Sequence, residues 1–259
     1  MKRRGLTLSF ATLLTAASVV AATLLSPLEA RACEPGYCVD QIRPGDGETG
    51  VPTNTDIWVF YDATPGSDPE VTLTNKSTSE ELSTDVEIRE GGQTHREVRN
   101  KVAVVTADTL QTHTTYRLDF SGPALCGALD SPVEFTTGGQ TQDEPPTFEG
   151  ATTGSSTCVA APDMPNDCND GSLYPRLEFE LTADAAPNAA AYTVYHGNAR
   201  AATVPELPAT VDMAPDDVSG EECFTVRALN LAGIEDHNDT EVCVAPAGGM
   251  CETTRGDVG

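Results

Sequence analysis

Short runs of alternating apolar and polar residues, each ended by glycine, proline or asparagine, recur along most of this chain of 259 residues. Typical runs lie at 56–61 and 101–106 in the first half and at 174–181 and 190–197 in the second. A period of two residues places successive side chains on opposite faces of a strand, and short strands joined by turns are typical of sandwiches. The pattern therefore predicts an all-β fold divided into two tandem sandwiches.

The run DIWVFY in the first half is apolar on both of its faces. Ile57, Val59 and Tyr61 share one face, while Trp58 and Phe60 share the other. Two apolar faces favour a central strand over an edge strand. We therefore expect Trp58 to anchor the core of the first sandwich.

The N-terminus has the order of residues found in a secretory signal. Three basic residues precede an apolar run at 6–25, and the small-x-small sequence Ala30-Arg31-Ala32 follows. This order predicts a signal peptide over 1–32 that is cleaved after Ala32. The mature protein is then extracellular, attached to the cell surface or periplasmic, and it has no transmembrane helix.

Two other interpretations of the N-terminus remain open. The apolar run approaches the ~20 residues that span a bilayer, so it could act as an uncleaved anchor. Its richness in alanine, threonine and serine favours cleavage instead. A lipid on Cys33 is the second alternative, although only Ala32-Cys33 fits the lipoprotein pattern.

Acidic residues outnumber basic ones by 40 to 15, which gives a formal net charge of −25. Such a charge repels nucleic acids and anionic lipids, so neither is an expected partner. It suits an exported protein that must stay soluble. A salt-adapted surface is the alternative, in keeping with a lysine count of three.

The first half resembles a known family over residues 38–138. The segments that carry the resemblance are PGDGETGVPTNTDIWVFYD, a later TYRLDF and a closing VEFTTG. Together they are similar to the bacterial Ig-like domains of S-layer and other surface proteins. The resemblance implies a sandwich that displays loops, and its motifs carry no catalytic residue.

The spacing of Leu110, Thr114 and Tyr116 also resembles the tyrosine corner of fibronectin-type modules. In that corner the tyrosine hydroxyl bonds to the backbone a few residues upstream. The resemblance therefore implies that Tyr116 is a structural residue.

A polar segment with glycine and proline at 139–147 is the predicted linker, and the second sandwich is predicted over 148–246. Its run CFTVRALNLAG resembles the fibronectin type III signature, with Phe224 in the place of the usual tyrosine. We expect Gly233, at the end of that run, to lie at the tip of the last hairpin. Residues 247–259 are expected to form a flexible tail.

An even number of cysteines in an exported chain predicts disulfide bonds. Cys223 and Cys243 each lie ten residues from Gly233, so a hairpin centred on that glycine would bring them together on neighbouring strands. The sequence therefore predicts a bridge between them. The full set of eight stands at Cys33, Cys38, Cys126, Cys158, Cys168, Cys223, Cys243 and Cys251.

The remaining cysteines are assigned by proximity or by the resemblance. Cys158 and Cys168 flank one loop, and their closeness in sequence predicts a second bridge. In an Ig-like sandwich the positions of Cys38 and Cys126 fall at the same end, so the resemblance implies a third. The last two, Cys33 and Cys251, could bond each other, bond another chain or stay free.

Two acidic loops, PNDCNDGS and EDHND, offer the oxygen ligands that calcium takes, although neither has the spacing of a known calcium loop. The alternative is a solvated acidic loop. No other cofactor is expected. The candidate calcium ligands are Asp163, Asp167, Asp170, Asp236 and Asp239.

The sequence contains no motif typical of a catalytic site. Its histidines at 95, 113, 196 and 237 are scattered, and no G-x-S-x-G motif presents a nucleophile. We therefore expect a protein that is not an enzyme but a structural, adhesion or protein-binding module of the cell envelope or surface. Its expected partner is an unidentified protein or surface polymer.

Two alternative functions have signs that a structure would reveal. A small-ligand or glycan-binding accessory protein would present a row of exposed aromatic side chains. An unrecognised hydrolase would need clustered carboxylates with shifted pKa values in a concave site.

Overall fold

The chain forms sixteen β-strands and one short 3-10 turn in the residues that the computed structural model describes. The predicted all-β fold is confirmed, and the strands form two sandwiches. The described residues are 37–64, 66–94, 99–121, 132–160, 175–248 and 251. All of them belong to one compact unit that spans 34–163 and 171–259. Nothing within these ranges is a helix long and apolar enough to cross a membrane.

The first sandwich contains nine strands in two sheets. Its sheets have the orders β1-β3-β7-β6 and β2-β9-β8-β4-β5. With β2 and β5 taken as additions, this is the layout of a constant-type immunoglobulin domain, in which the first, second, fifth and fourth strands share a sheet. The strands are β1 (Tyr37–Arg43), β2 (Glu48–Val51), β3 (Ile57–Ala63), β4 (Glu70–Asn75), β5 (Glu80–Glu81), β6 (Thr84–Thr94), β7 (Arg99–Ala107), β8 (Thr115–Ser121) and β9 (Val133–Thr137).

Large side chains fill the core between these two sheets. Val59 and Tyr61 of β3 meet Leu118 and Phe135 of the opposite sheet. Tyr116 stacks on Phe135 with ring centroids 5.7 Å apart. Each strand supplies every second residue, as the alternation in the sequence requires.

Tyr116 also forms the corner that its spacing implies. Its hydroxyl accepts a hydrogen bond from the backbone N–H of Gln111 at 2.8 Å. The ring is buried. The phenol therefore has a structural role, because its hydrogen bond links the start of β8 to the loop before it.

The second sandwich contains seven strands and differs from the first in one connection. Its sheets have the orders β10-β11-β14 and β13-β12-β15-β16. The fourth strand, β13, pairs with the third strand instead of joining the sheet of the first two, so the layout is not that of a constant-type domain. The strands are β10 (Thr153–Ala160), β11 (Pro175–Thr182), β12 (Ala191–His196), β13 (Ala199–Val204), β14 (Ala209–Met213), β15 (Glu222–Leu229) and β16 (Glu241–Val244).

The core of the second sandwich contains the aromatic rings of Phe179, Tyr192 and Phe224 and many small residues. Phe179 and Phe224 lie 5.2 Å apart between their ring centroids. Because Phe224 has no hydroxyl, it cannot form the usual corner. A tyrosine of β12 makes a comparable bond instead, since the Tyr192 hydroxyl accepts a buried hydrogen bond from the backbone N–H of Ala186 at 2.8 Å.

The bridge predicted from hairpin symmetry is present in the second sandwich. Cys223 and Cys243 are cross-strand partners of β15 and β16, with their Cα atoms 4.0 Å apart. Gly233 has a φ of +72° and lies in the connection between the two strands, four residues after the end of β15. It takes part in a turn in which its N–H donates to the carbonyl of Asn230.

The predicted bridge between Cys158 and Cys168 is wrong, because Cys158 is bonded to Cys251 with a Cα separation of 5.8 Å. After β16 the chain runs back along β10, where Ser156 donates to the carbonyl of Ala245 at 2.7 Å. Cys251 is then buried against the second core, so this residue of the predicted flexible tail is fixed.

Of the cysteines assigned to the first sandwich, Cys38 lies among the described residues. Cys38 is disulfide-bonded, but its partner lies outside the described residues. Cys33, Cys126 and Cys168 also lie outside them, so the implied bridge from Cys38 to Cys126 stays a prediction.

Candidate functional site

A buried apolar cluster joins the two sandwiches. Trp58 and Phe60 of β3 and Val102 and Val104 of β7 pack against residues of the second sandwich. The residues on that side are Ala190, Ala191 and Leu229, with Leu231 at the margin. The sheet β1-β3-β7-β6 thus has an apolar face on each side, one for its own core and one for this junction.

The expectation that Trp58 anchors the first core is therefore wrong. Trp58 is fully buried, but it points away from Val59 and Tyr61, which belong to the first core. Alternation along β3 requires this, since neighbouring residues on a strand face opposite sides. The second apolar face of the strand is covered by another sandwich.

Backbone hydrogen bonds fix the junction at one end of β3. The carbonyl of Leu231 accepts the N–H of Asp56 at 2.7 Å and the hydroxyl of Thr55 at 3.3 Å. The Asp56 carboxylate accepts the Thr106 hydroxyl at 2.8 Å. Burial raises the pKa of Asp56, and the bond from Thr106 partly opposes that rise.

Two glycines permit the sandwiches to approach closely. A Cβ atom built on Gly233 would lie 2.6 Å from Oδ2 of Asp56. One built on Gly92 of β6 would overlap the carbonyl oxygen of Thr210 on β14. Both glycines also have positive φ, +72° and +98°. The glycine of the fibronectin-like signature is therefore required by a contact with the first sandwich as well as by its turn.

A chain of three charged side chains lies at one edge of the apolar cluster. The guanidinium of Arg89 lies 5.2 Å from the ring centroid of Trp58, within the range of a cation–π interaction. Arg89 also donates to Glu87 at 2.7 Å, and Glu87 reaches Arg200 of the second sandwich at 3.4 Å. The hydrogen bond from Arg89 and the charges of both arginines lower the pKa of Glu87.

A cleft of about 220 Å³ opens where the apolar cluster ends. Phe60 and Val102 line it from the first sandwich, and Thr203 and Thr210 line it from the second. Each sandwich alone would leave this space open to solvent on one side.

Acidic and amide groups occupy the first sandwich's side of the cleft. Asp40 and Asn100 line it, and the Asn100 amide donates to the carboxylate of Asp62. Burial and the charge of Asp40 raise the pKa of Asp62, while the Asn100 amide lowers it. Burial also raises the pKa of Asp40. The two carboxylates therefore resist carrying charge together.

The nearest lysine is already paired. The ammonium of Lys101 lies 2.6 Å from Asp68, which also accepts the hydroxyl of Tyr61 at 2.8 Å. Burial and the bond to Asp68 raise the pKa of Tyr61. Lys101 lines the cleft, but its ammonium is held by Asp68, a residue that does not line it.

The candidate calcium ligands do not converge where they are visible. Asp236 is buried and accepts the backbone N–H groups of Ala228 and Asn238, whereas Asp239 is exposed and bonds Arg227 at 2.7 Å. Asp163, Asp167 and Asp170 lie outside the described residues. Among the residues that are described, no group of three histidine, cysteine or acidic side chains could hold a metal ion.

The histidines are also separate. His196 lies 2.7 Å from Glu222, at the edge of the second sandwich. His113 has a φ of +51° in the turn before β8, and His95 lies outside the described part of the chain. None of these positions resembles a nucleophile with its base.

A glycan-binding protein would expose a row of aromatic side chains, and a hydrolase would place carboxylates with shifted pKa values in a concave site. The large hydrophobic side chains exposed in the described ranges are Val86 and Ile88, both aliphatic, so the row of aromatics typical of a glycan site is not seen there. Asp40, whose pKa is raised, lines the cleft, whereas Asp62, whose pKa is also raised, is bonded to the lining residue Asn100 and does not itself line it.

No family model matches the sequence, and no curated protein matches it. Among solved structures, the chain is similar to the fibronectin(III)-like modules of CbhA from Clostridium thermocellum. The sequences are 13% identical and the TM-score is 0.24, with 81% of this chain and 93% of that chain covered.

Proposed function

We propose that the protein is an exported, non-catalytic module of the cell envelope or surface that holds two β-sandwiches as one rigid unit and presents it to a protein partner. The observation that carries this proposal is the apolar cluster around Trp58, which both sandwiches share. A flexible tandem would need no such cluster, because modules joined by a free linker keep separate polar surfaces.

Export is supported by the cysteines as well as by the N-terminal sequence. The bridges Cys158–Cys251 and Cys223–Cys243 are typical of oxidising compartments. The first of them closes a sequence separation of 93 residues around most of the second sandwich. Such bonds favour persistence outside the cell, where no chaperone refolds the protein.

The groups in the cleft support a binding role over a catalytic one. Asp62 is held by the Asn100 amide, and Lys101 is held by Asp68. A general acid or base must be free to reach a substrate.

The proposal is tested on the native protein in its own cells. After fractionation, the intact mass is measured before and after reduction, and intact cells are treated with a cross-linker. We expect a mature chain beginning at Cys33 in an exported fraction, a gain of eight hydrogens for its eight cysteines, and a cross-linked envelope protein. A cytosolic protein with reduced thiols would overturn the proposal.

A control variant separates true contacts from collisions between abundant proteins. Trp58→Ala should remain exported but lose the rigid junction, so its cross-link to the envelope partner should weaken. An unchanged cross-link in this variant would show that the rigid unit is not what the partner recognises.

A further inference from the structure

The cleft between the sandwiches is rich in hydrogen-bond acceptors. Asp40 and Glu206 line it with carboxylates, Asn100 lines it with an amide, and Asp62 stands behind that amide. One cation, Lys101, also lines the cleft, but its ammonium is paired with Asp68. The cleft therefore has an excess of negative charge at its wall.

Two of the residues that line this cleft carry a buried side-chain oxygen without a hydrogen-bond partner among the described residues. One is Oγ1 of Thr203, a side chain with no exposed surface, and the other is Oδ1 of Asn100. A buried polar group without a partner costs free energy. The Asn100 oxygen can only accept a hydrogen bond, so the group that satisfies it must be a donor.

We propose that this cleft binds the ammonium or guanidinium group of a basic side chain from a partner protein. The inference rests on the proposed function, because it states the chemistry of the partner. Lysine and arginine carry several donors and no acceptor, which complements a wall of carboxylate and amide oxygens. The net charge of −25 would also draw a basic partner toward the protein.

The rest of the cleft suits the stem of such a side chain. Pro205 and Pro208 line one side with apolar surface, and the almost fully buried Phe60 and Val102 line the other. Lysine and arginine bury their methylene groups along apolar surfaces while their charged ends meet polar groups. A volume of about 220 Å³ accommodates one such side chain, not a folded domain.

The test is an NMR titration of the intact protein with n-butylguanidinium and n-butylammonium, and with n-butylurea as a neutral molecule of the same shape. We expect both cations to shift the side-chain amide of Asn100 and the signals of Thr203 in a saturable manner. Butylurea should bind at least tenfold more weakly, because it lacks the charge. Equal binding of butylurea would overturn the proposal.

Two pairs of variants locate the site. Asp62→Asn should weaken cation binding about tenfold, whereas Asp108→Asn should leave it unchanged, because Asp108 follows β7 at the end away from Asn100 and does not line the cleft. Thr203→Val should weaken binding several-fold. Its control is Thr193→Val, since Thr193 is its cross-strand partner, is equally buried and does not line the cleft. Equal effects within either pair would contradict the site.

A titration with Ca²⁺ alone completes the test. Shifts of the same signals by Ca²⁺, with none caused by the organic cations, would overturn the proposal in favour of a metal site. The amide spectrum of each variant checks its folding, and if Asp62→Asn unfolds, the Thr203 and Thr193 pair decides. Failure of every cation to bind an exported, rigid protein would remove this inference and leave the proposed function intact.

Discussion

The two sandwiches differ in what fills them and in what holds them closed. The first core contains large side chains such as Tyr61, Tyr116 and Phe135. The second core has Phe179, Tyr192 and Phe224 but also five buried alanines against two in the first, and it is crossed by two disulfides. Burial free energy grows with apolar area, so the second sandwich gains less from its core. We infer that it depends more on covalent bonds and on the face that the first sandwich offers.

The largest expected effect is removal of the long-range bridge. The double variant Cys158→Ala/Cys251→Ala should lower the free energy of unfolding of the second sandwich by about 4–5 kcal/mol in the chain-entropy model. The bridge Cys223–Cys243 spans only 20 residues, so its removal should cost about 3 kcal/mol. Urea titrations followed by amide signals of each sandwich would measure both losses.

Loss of either bridge should destabilise the second sandwich and leave the stability of the first unchanged. Amide signals of the first sandwich should keep their midpoint in both variants, because its core is made of its own large side chains. Loss of the first sandwich at the same midpoint as the second would show that the two unfold as one cooperative unit.

Removal of the shared aromatic ring is the next largest change. Trp58→Ala should cost about 3–5 kcal/mol, the usual range for deleting a buried aromatic side chain. Residual dipolar couplings should then fit two independent alignments, because the cluster that joins the sandwiches is gone. Val59→Ala, on the opposite face of β3, should destabilise the first core while a single alignment is kept.

The sequence predicted the strands because a period of two is a local signal. It could not show that the second apolar face of β3 lies against another sandwich. A strand face that packs on its own domain and one that packs on a neighbouring domain have the same sequence pattern. Trp58 was therefore assigned to the wrong core. The residues that cover it, Ala190 and Ala191, carry no marker of their own in the sequence.

The disulfides show the same limit. The Cys223–Cys243 pair follows from the geometry of one hairpin, which sequence symmetry about Gly233 reveals. The partner of Cys158 depends on the path of the chain after β16, some 90 residues later. Proximity in sequence favoured Cys168 and was misleading. The cleft could not be predicted at all, because its two walls come from different sandwiches.

A smaller effect should come from the contact between Gly233 and Asp56. Gly233→Ala and Gly197→Ala each place a side chain at positive φ, which costs about 1–2 kcal/mol. Nothing lies within 4 Å of a Cβ on Gly197, whereas one on Gly233 meets the Asp56 carboxylate. Gly233→Ala should therefore cost about 1–3 kcal/mol more. Combining it with Asp56→Ala should abolish the excess, and a persistent excess would mean that the contact is not its cause.

Each sandwich has a tyrosine hydroxyl that accepts a hydrogen bond from the backbone, and these two bonds give a further comparison. Tyr192→Phe leaves the N–H of Ala186 unpaired in a buried position, which costs about 1–3 kcal/mol. Tyr116→Phe releases the N–H of Gln111, an exposed residue that water can reach, so the loss should be about 1 kcal/mol. Chemical denaturation of the two variants measures the difference. An equal or larger loss for Tyr116 would show that the hydrogen bond of the first sandwich is the more important one.

The smallest expected effect is a pH dependence of the junction. Burial raises the folded-state pKa of Asp56 above its value of 3.8 in the unfolded chain. The folded state then holds this proton more tightly, so its contribution to stability is fully present below pH 3.8 and is lost as the pH rises through the folded pKa. The pKa of Glu87 is shifted in the opposite direction, because the hydrogen bond from Arg89 lowers it. The contribution of Glu87 to stability is therefore lost as the pH falls.

Substitutions at the two positions should therefore change the pH profile in opposite directions. With Asp56→Asn, the free energy of unfolding should decline less than in the wild type as the pH is raised from 3 to 7, because the group that resisted ionisation is gone. With Glu87→Gln, it should decline less as the pH is lowered over the same interval. Urea titrations at each pH give both profiles. Parallel profiles for the two variants would contradict the assignment of opposite shifts to the two carboxylates that meet at the junction.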